Sequence, residues 1–282
     1  MSAHLPILIV ICPIVAALLV PLVSRFSGRL ARGITVAAPA VALGCAVQAL
    51  RVALASGPWH YSLGGWAPPW GIEYVVDPLG GGMAVLVALL STLVALYAGP
   101  YLRDLSPRRT AVFDSLFLLL TSGLLGITLT GDLFNLYVFF EISSLAAYAL
   151  LASGGERAVM ATFRYLLLGT IAASFYLLGL GYLYALTGTV NMADLAMRLP
   201  DVGGGSAFTV GVVLIVVGLA IKMAVFPLHG WMPDAYTYAP PPVTMFIAAV
   251  MSKVSAYALL RVLFFVLPPT GAVETALSVL SW

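Results

Sequence analysis

Three ionisable side chains stand inside long apolar runs of this 282-residue chain: Glu141, Lys222 and Lys253. An unpaired charge at the centre of a bilayer costs at least roughly 2.5–3.5 kcal/mol on insertion scales. Each of the three is therefore expected to have a partner or a water-filled cavity. A desolvated lysine is a good proton carrier, because its hold on the proton then depends on whether a carboxylate lies beside it. These residue types indicate proton transfer within a membrane.

A proline interrupts the apolar run that carries Lys222. Pro227 follows five residues later and has no N–H to bond the carbonyl of Met223, so we expect the helix to break beside the charge. In lipid, such a break is tolerated only where the freed backbone groups face protein or water. His229 lies seven residues after Lys222, and it is a candidate either for a proton relay or for a structural hydrogen-bond donor. Broken helices beside ionisable residues are typical of transporters.

The composition predicts a polytopic membrane protein. Hydrophobic residues make up 62% of the chain and charged residues only 9%, against roughly 25% charged residues in soluble domains. A formal net charge of +2 leaves no basic surface for nucleic acid. Cys12 and Cys45 both lie in apolar runs and are interpreted as small hydrophobic residues. We therefore expect contact with the lipid bilayer, no nucleic-acid partner, no metal, and no flavin, haem or iron–sulfur cofactor.

A membrane span needs roughly 20 apolar residues, and this rule predicts an all-α protein with eight complete transmembrane helices. The predicted ranges are 4–23, 33–55, 78–101, 110–129, 132–152, 158–186, a seventh at 207–236 that is broken at Pro227, and 242–267. A partial ninth helix begins near Ala272 and extends to Trp282, about 16 Å or roughly half a span. Such a tail predicts a truncated chain, or a split gene whose second product supplies the remainder.

Arginines cluster in alternate short loops of this predicted arrangement. Eight fall on one side, between the first two helices, between the third and fourth, and at the turn from fifth to sixth: Arg25, Arg29, Arg32, Arg103, Arg108, Arg109, Arg157 and Arg164. Because cytoplasmic loops hold the excess of basic residues, we expect a plasma-membrane protein with its N-terminus outside. The outer loop 56–76 is expected to anchor at the interface, with His60 as a surface residue. The sequence of the other outer loop, 187–206, predicts a short interfacial helix and a flexible joint at 203–205.

Helical rise places the three charges at similar depth. Glu141 lies roughly 13 Å into a helix that begins at Asp132, and Lys253 lies roughly 16 Å into a helix that begins on the other side. Lys222 is about halfway along the broken helix. Two interpretations stay open for Glu141 and Lys222: a static ion pair that holds helices together, and a pair that opens and closes as a proton switch. Asp132 and Asp234 are explained by helix capping and by a proline-flanked turn.

Three segments resemble a known family: GDLFNLYVFFEISSLAAYAL (131–150), FRYLLLGTIAASFYLLGLGYLYALTGTVNMADL (163–195) and KMAVFPLHGWMPDAYTYAPPPVTMFIAAVMSKVSAYALLRV (222–262). They are similar to the proton-translocating antiporter-like subunits of respiratory complex I, membrane-bound hydrogenases and Mrp-type cation/proton antiporters. The segment NLYVFFEISSL most resembles the Mrp D subunit. The resemblance extends over residues 77–262.

The resemblance implies a role for each candidate residue. Glu141 and Lys222 match the paired glutamate and lysine of helices five and seven, Lys253 matches the lysine of a central hydrophilic axis, and His229 lies at the helix break. It also implies neighbouring membrane subunits, and a division into three leading helices (1–109), the first of two inverted five-helix repeats (110–267) and the start of a ninth helix (268–282).

We therefore predict ion translocation rather than chemical catalysis: a proton half-channel of a multi-subunit monovalent cation/proton antiporter, with protons and Na⁺ as candidate ions. Two alternatives stay open. One is an antiporter-like proton-pumping subunit of an NADH–quinone oxidoreductase or a membrane-bound hydrogenase. The other is a structural membrane subunit that does not conduct.

Overall fold

The structure, a computed structural model, describes residues 4–202, 205–267, 271, 273–275 and 278. Eight of its helices are long and apolar enough to cross a membrane. The predicted all-α polytopic fold is therefore confirmed. Most of the predicted ninth helix, and two glycines of the predicted joint at 203–205, lie outside the described residues.

The spans are built from both continuous and interrupted helices. The first seven are α1 (Leu5–Ser24), α2 (Gly28–Ser56), α3 (Pro78–Leu102), α4 (Pro107–Leu129), α5 (Leu133–Ala152), α6 (Glu156–Thr187) and α8 (Ser206–Met223), with the short α7 (Met192–Val202) lying between α6 and α8. After the short α9 (Met232–Tyr238), the eighth span combines α10 (Pro241–Phe246), a π-helical segment (Ile247–Met251), α11 (Ser252–Arg261) and a second π-helical segment (Val262–Val266). Hydropathy alone cannot distinguish π from α turns, so these segments were not predicted.

Helix starts follow the sequence signals for capping. The Asp77 carboxylate accepts a hydrogen bond from Gly80 N at 2.7 Å at the start of α3. The Asp132 carboxylate accepts one from Asn135 N at 2.7 Å at the start of α5. Each side chain satisfies a backbone N–H that has no partner within the helix. The interpretation of Asp132 as a capping residue is confirmed.

The segment predicted as an interfacial loop contains a β-hairpin. Strands β1 (Trp59–Ser62) and β2 (Glu73–Val76) pair antiparallel, with Trp59 opposite Val76 and Ser62 opposite Glu73. Aromatic and β-branched residues favour strands, but the Gly- and Pro-rich residues between them obscured the signal. Further bridges join Tyr74 to Thr130 and Asp132 to Asn191. We call this end of the helix bundle the hairpin end.

At the opposite end, two arginines lie elsewhere than predicted. Arg29 and Arg32 were assigned to the loop before the second helix, but α2 already begins at Gly28. Ser27 caps it by accepting a hydrogen bond from Leu30 N at 3.3 Å. Arg32 donates hydrogen bonds to the buried Asp114 carboxylate and to the Ala95 carbonyl, and so joins α2, α3 and α4. The outside location of the N-terminus stays a prediction.

Close contact between α6 and α8 positions the functional region. A Cβ atom on Gly179 would lie 2.6 Å from the carbonyl oxygen of Gly211, and a Cβ on Gly218 would lie 2.6 Å from the carbonyl oxygen of Ala172. Small residues let membrane helices approach this closely. The pairs fix α8, and with it Lys222, against α6.

Candidate functional site

The seventh span is broken two residues after Lys222. Helix α8 ends at Met223, and Ala224 adopts the left-handed conformation with φ 61° and ψ 45°. Pro227 lies four residues after Met223 and cannot donate to its carbonyl, which agrees with the predicted position of the break. The chain resumes helical structure at Met232. The broken seventh helix is confirmed.

Glu141 and Lys222 meet at this break. Lys222 Nζ lies 3.4 Å from Glu141 Oε1, with the lysine side chain only 6% exposed and the glutamate side chain 31% exposed. Glu141 is eight residues beyond the first residue of α5, about 12 Å along the helix. The Glu141–Lys222 pair therefore joins two helices within the apolar layer, with one partner buried and the other half-buried.

Lys222 has a second and closer partner. Its ammonium donates a hydrogen bond to Ser144 Oγ at 2.7 Å, and the Phe140 ring centroid lies 5.7 Å from Nζ. Ser144 is three residues after Glu141, which places it on the same face of α5. Sequence reasoning missed Ser144, because a serine in an apolar helix carries no charge to mark it.

A buried aromatic cluster adjoins this pair. The rings of Tyr148 and Tyr165 meet edge to face with centroids 4.7 Å apart, and Tyr165 stacks on Trp231 at 4.0 Å. The Trp231 indole N–H donates to the Ile221 carbonyl at 3.0 Å. Trp231 thus attaches the segment after the break to the last turn of α8. None of these three aromatic residues was predicted as part of the site.

His229 lies within the break but does not contact Lys222. Its ring centroid is 5.5 Å from that of Phe226, and its Nδ1 is buried without a hydrogen-bond partner. The predicted relay role of His229 stays a prediction. A buried polar nitrogen without a hydrogen-bond partner is rare in folded proteins.

Lys253 lies on α11, away from the pair. The residue is exposed, and its Nζ donates to the Ala248 carbonyl at 2.5 Å. Ala248 belongs to the first π-helical segment, where the backbone departs from the regular i→i+4 pattern. In the part of the chain that the structure describes, Lys253 has no acidic partner. The structure brings Glu141 and Lys222 together and leaves Lys253 and His229 outside direct contact with them.

A second polar cluster occupies the hairpin end and was also missed. The buried Glu73 carboxylate accepts a hydrogen bond from Asn191 Nδ2 at 2.8 Å and lies 2.9 Å from His60 Nδ1. His60 is 57% exposed, so it is a surface histidine as expected, but one with a partner. Beside them, Arg261 forms an ion pair with Asp77 at 2.5 Å. Between 4 and 202 and between 205 and 267, no three His, Cys, Asp or Glu side chains group as a metal site would require. The absence of a metal stays a prediction.

Comparison with known proteins identifies the family of this chain. Residues 130–282 match the family described as NADH:quinone oxidoreductase/Mrp antiporter, transmembrane. The chain belongs to this family. The matched range contains Glu141, Lys222, His229 and Lys253 together with the broken helix.

Three relatives illustrate the similarity. The NADH-quinone oxidoreductase N subunit of Desulforudis audaxviator (strain MP104C) is 56% identical over 283 residues, covering 100% of this chain and 56% of that protein. The Na(+)/H(+) antiporter D subunit of Bacillus subtilis (strain 168) is 34% identical over 261 residues, covering 92% of this chain and 51% of that protein. A chain in the structure of the membrane-bound sulfane sulfur reductase, an archaeal respiratory membrane complex, superposes with a TM-score of 0.91 at 33% identity, covering 98% of this chain and 56% of that one.

These comparisons confirm the NADH:quinone oxidoreductase/Mrp antiporter family and do not support the narrower resemblance to the Mrp D subunit. The identity to the oxidoreductase N subunit, 56%, exceeds the 34% identity to the antiporter D subunit. The chain spans about half the length of the curated relatives it matches.

Proposed function

We propose that this chain is a proton-translocating, antiporter-like half-channel of a multi-subunit membrane complex. The observation that carries the proposal is the Glu141–Lys222 pair: a buried ammonium 3.4 Å from a half-buried carboxylate, beside a helix break. In a low-dielectric layer such a pair strongly couples the charges of its two members. A proton that neutralises Glu141 removes the counter-charge of Lys222, which then releases its own proton more readily.

The helix break provides the route by which a proton leaves the Glu141–Lys222 pair. The freed backbone groups after Met223, and the unsatisfied Nδ1 of His229, make a polar region where water is tolerated inside the bilayer. From there a proton would pass through water towards Lys253, whose ammonium is held by the Ala248 carbonyl. Pro227 keeps this path open by preventing a continuous helix.

Lys253 supports the assignment to a complex. It lies twelve residues after Pro241, the first residue of α10, or about 18 Å into its span. The lysine is exposed on this chain, and an exposed charge at that depth is unfavourable in lipid. We propose that other membrane subunits, or protein corresponding to the unmatched half of the relatives, cover this face. We further propose that the complex lies in the plasma membrane, with the N-terminus of this chain outside.

Two couplings have support, and they differ in the driving force. Cation/proton antiport, with Na⁺ as the candidate cation, is supported by the identity to an Na(+)/H(+) antiporter D subunit. Redox-linked proton pumping is supported by the identity to an NADH-quinone oxidoreductase N subunit. Vesicles containing the assembled complex separate the two: NADH-driven acidification requires redox coupling, whereas a response to an imposed Na⁺ gradient without a reductant requires antiport.

The first prediction tests the Glu141–Lys222 pair. Glu141→Ala removes the counter-ion of Lys222 and should reduce proton flux by roughly 10²-fold or more, as measured by fluorescence quenching in vesicles. Glu156→Gln, which changes an exposed carboxylate in the first turn of α6, is the matched control and should retain the flux. Wild-type flux in Glu141→Ala would contradict the proton switch. Retained flux in the double variant Glu141→Gln, Lys222→Met would instead favour the static pair.

A further inference from the structure

A cavity of about 650 Å³ lies at the end of the bundle opposite the hairpin end. Its walls come from the last turn of α3, the first turns of α4 and the last turn of α5. The volume falls in the range of small-molecule sites, roughly 300–1,000 Å³. The cavity is separate from the Glu141–Lys222 pair, and neither of those two residues lines it.

The mouth of this cavity is positively charged. Arg108 and Arg109 line it and are exposed. Neither forms an ion pair in the part of the chain that the structure describes, whereas Arg32 at the same end is paired with Asp114. Among the described residues, no Asp or Glu lines the cavity. The chain therefore leaves two positive charges at this mouth without a counter-charge of its own.

Below the two arginines the wall is apolar. Residues four apart lie on the same face of a helix, so Val112 and Leu116 follow Arg108 along α4, and Phe113 follows Arg109. Leu116 is nine residues beyond the first residue of α4, about 14 Å along the helix. The lining thus changes from cationic at the helix end to apolar within the membrane layer.

The cavity opens between two membrane spans. Val112 of α4 is 51% exposed, Ala149 of α5 is exposed, and both line the cavity. Ser106 also lines it and precedes α4, but its side chain makes no capping hydrogen bond. Its hydroxyl can therefore donate to a ligand at the mouth. This order of polar donors outside and apolar walls inside matches the order of phosphate and acyl chain in a phospholipid.

We infer that this cavity binds an anionic phospholipid, with its phosphate at Arg108 and Arg109 and an acyl chain against Val112, Leu116 and Ala149. A guanidinium group binds two phosphate oxygens through parallel hydrogen bonds. A zwitterionic lipid carries a cationic group that the two arginines repel, so lipids with a net negative charge are preferred. A free phosphate ion would meet the arginines but leave the apolar walls uncovered. The phospholipid is the occupant that fits both parts.

The second prediction tests this site in the assembled complex, reconstituted in phosphatidylcholine vesicles. Two photoreactive probes at low content are compared, phosphatidylglycerol and phosphatidylcholine with the same diazirine-bearing acyl chain. Phosphatidylglycerol should label the α4 and α5 peptides of the cavity about tenfold more strongly, since each basic side chain strengthens binding to an anionic lipid. Arg108→Gln, Arg109→Gln should reduce this labelling about tenfold and leave the phosphatidylcholine labelling unchanged. Mass spectrometry after chymotryptic digestion locates the label, because that cleavage does not depend on arginine.

Two further variants separate the site from its surroundings. Arg25→Gln, Arg29→Gln removes the same charge at the same end of the bundle, from exposed residues that do not line the cavity. This matched control should retain the labelling of the cavity peptides. Ala149→Phe fills the apolar wall without changing the charge, and it should reduce labelling by both probes. The amount of complex in the membrane is measured for every variant.

Three outcomes would overturn the inference. Equal labelling by the two probes would mean that the cavity holds bulk lipid without selecting its charge. An equal loss in Arg25→Gln, Arg29→Gln would mean that the overall charge of this end, rather than the cavity, attracts the lipid. Unlabelled cavity peptides in the wild-type complex would mean that a neighbouring subunit covers this face. None of these outcomes affects the proposed function, which is tested by proton flux in Glu141→Ala.

Discussion

The hairpin end and the helix break both contain charged groups in an apolar chain, but the two regions differ in how closely those groups are hydrogen-bonded. At the hairpin end, the Glu73 carboxylate has two partners within 2.9 Å, and Arg261 is paired with Asp77. At the break, the ion pair is 3.4 Å long and His229 Nδ1 has no partner. The Glu73 carboxylate and the Arg261–Asp77 pair are held by short bonds and resist rearrangement, whereas the longer ion pair at the break can exchange partners. The contrast agrees with a stabilising role for the first region and with the proton movement that we propose for the second.

The backbone shows the same contrast. At the hairpin end, Gly131 donates to the Glu73 carbonyl at 3.0 Å and accepts from Met192 N at 2.9 Å, so strand-like pairs join the loops that follow α4 and α6. At the break, by contrast, a left-handed alanine ends α8. Residues in sparsely populated backbone conformations concentrate at functional sites.

The third prediction concerns the removal of the Arg261 side chain, which has the largest expected effect on stability. Arg261→Ala leaves Asp77 partly buried without its counter-charge and deletes the bond from Arg261 Nε to the Tyr257 hydroxyl. Breaking a buried ion pair from one side costs roughly 3–5 kcal/mol, and partial exposure places this site at the lower end. The midpoint of thermal unfolding in detergent measures the effect.

The matched control is Arg164→Ala. It breaks an exposed pair with Asp234, in which the two side chains are 63% and 40% exposed, and exposed pairs contribute about 1 kcal/mol or less. An equal loss of stability in the two variants would show that burial adds nothing to the Arg261–Asp77 pair, and it would contradict the stabilising role of the hairpin end.

The fourth prediction concerns Asn191 and has a smaller effect. Asn191→Ala removes the amide that donates to Glu73 and the oxygen that caps Asp194 N at 3.0 Å, a loss of about 1–3 kcal/mol. Asn191→Asp keeps the cap but places a second carboxylate against Glu73. Like charges raise the pKa of a carboxylate, so the Asp variant should be least stable at neutral pH and regain stability as the pH falls. If the difference in stability between wild type and Asn191→Asp did not depend on pH, the carboxylates of Glu73 and residue 191 would not repel each other.

The sequence predicted the charges within the membrane spans because charged residues in apolar runs are rare and costly. Glu141, Lys222 and Lys253 were identified on that basis, and Pro227 located the end of α8 through its missing N–H. The eight spans followed from apolar length alone. These features depend on local sequence, which is why they could be predicted.

Features that depend on tertiary contacts were missed. Ser144 and Tyr165 are neutral residues of unremarkable helices, and their relation to Lys222 and Met251 arises only when α5, α6 and the eighth span pack together. The Arg32–Asp114 pair was missed because Arg32 was counted among loop residues, although α2 begins before it. The fold was therefore more predictable than the partners within it.

The fifth prediction has the smallest effect and tests whether the left-handed backbone at the break is needed as such. A left-handed conformation costs a non-glycine residue roughly 1–2 kcal/mol, and Ala224 bears this strain two residues after Lys222. Ala224→Gly removes it, but it also deletes a buried methyl group worth about 0.8 kcal/mol and adds unfolded-state entropy worth about 0.4–1 kcal/mol. These terms nearly cancel, so the midpoint of thermal unfolding should shift by only a few degrees, and proton flux should be unchanged because the break remains. A large fall in flux with unchanged stability would mean that the strained backbone itself positions Lys222 for proton transfer. The two regions would then differ in stored backbone strain rather than in unsatisfied polar groups.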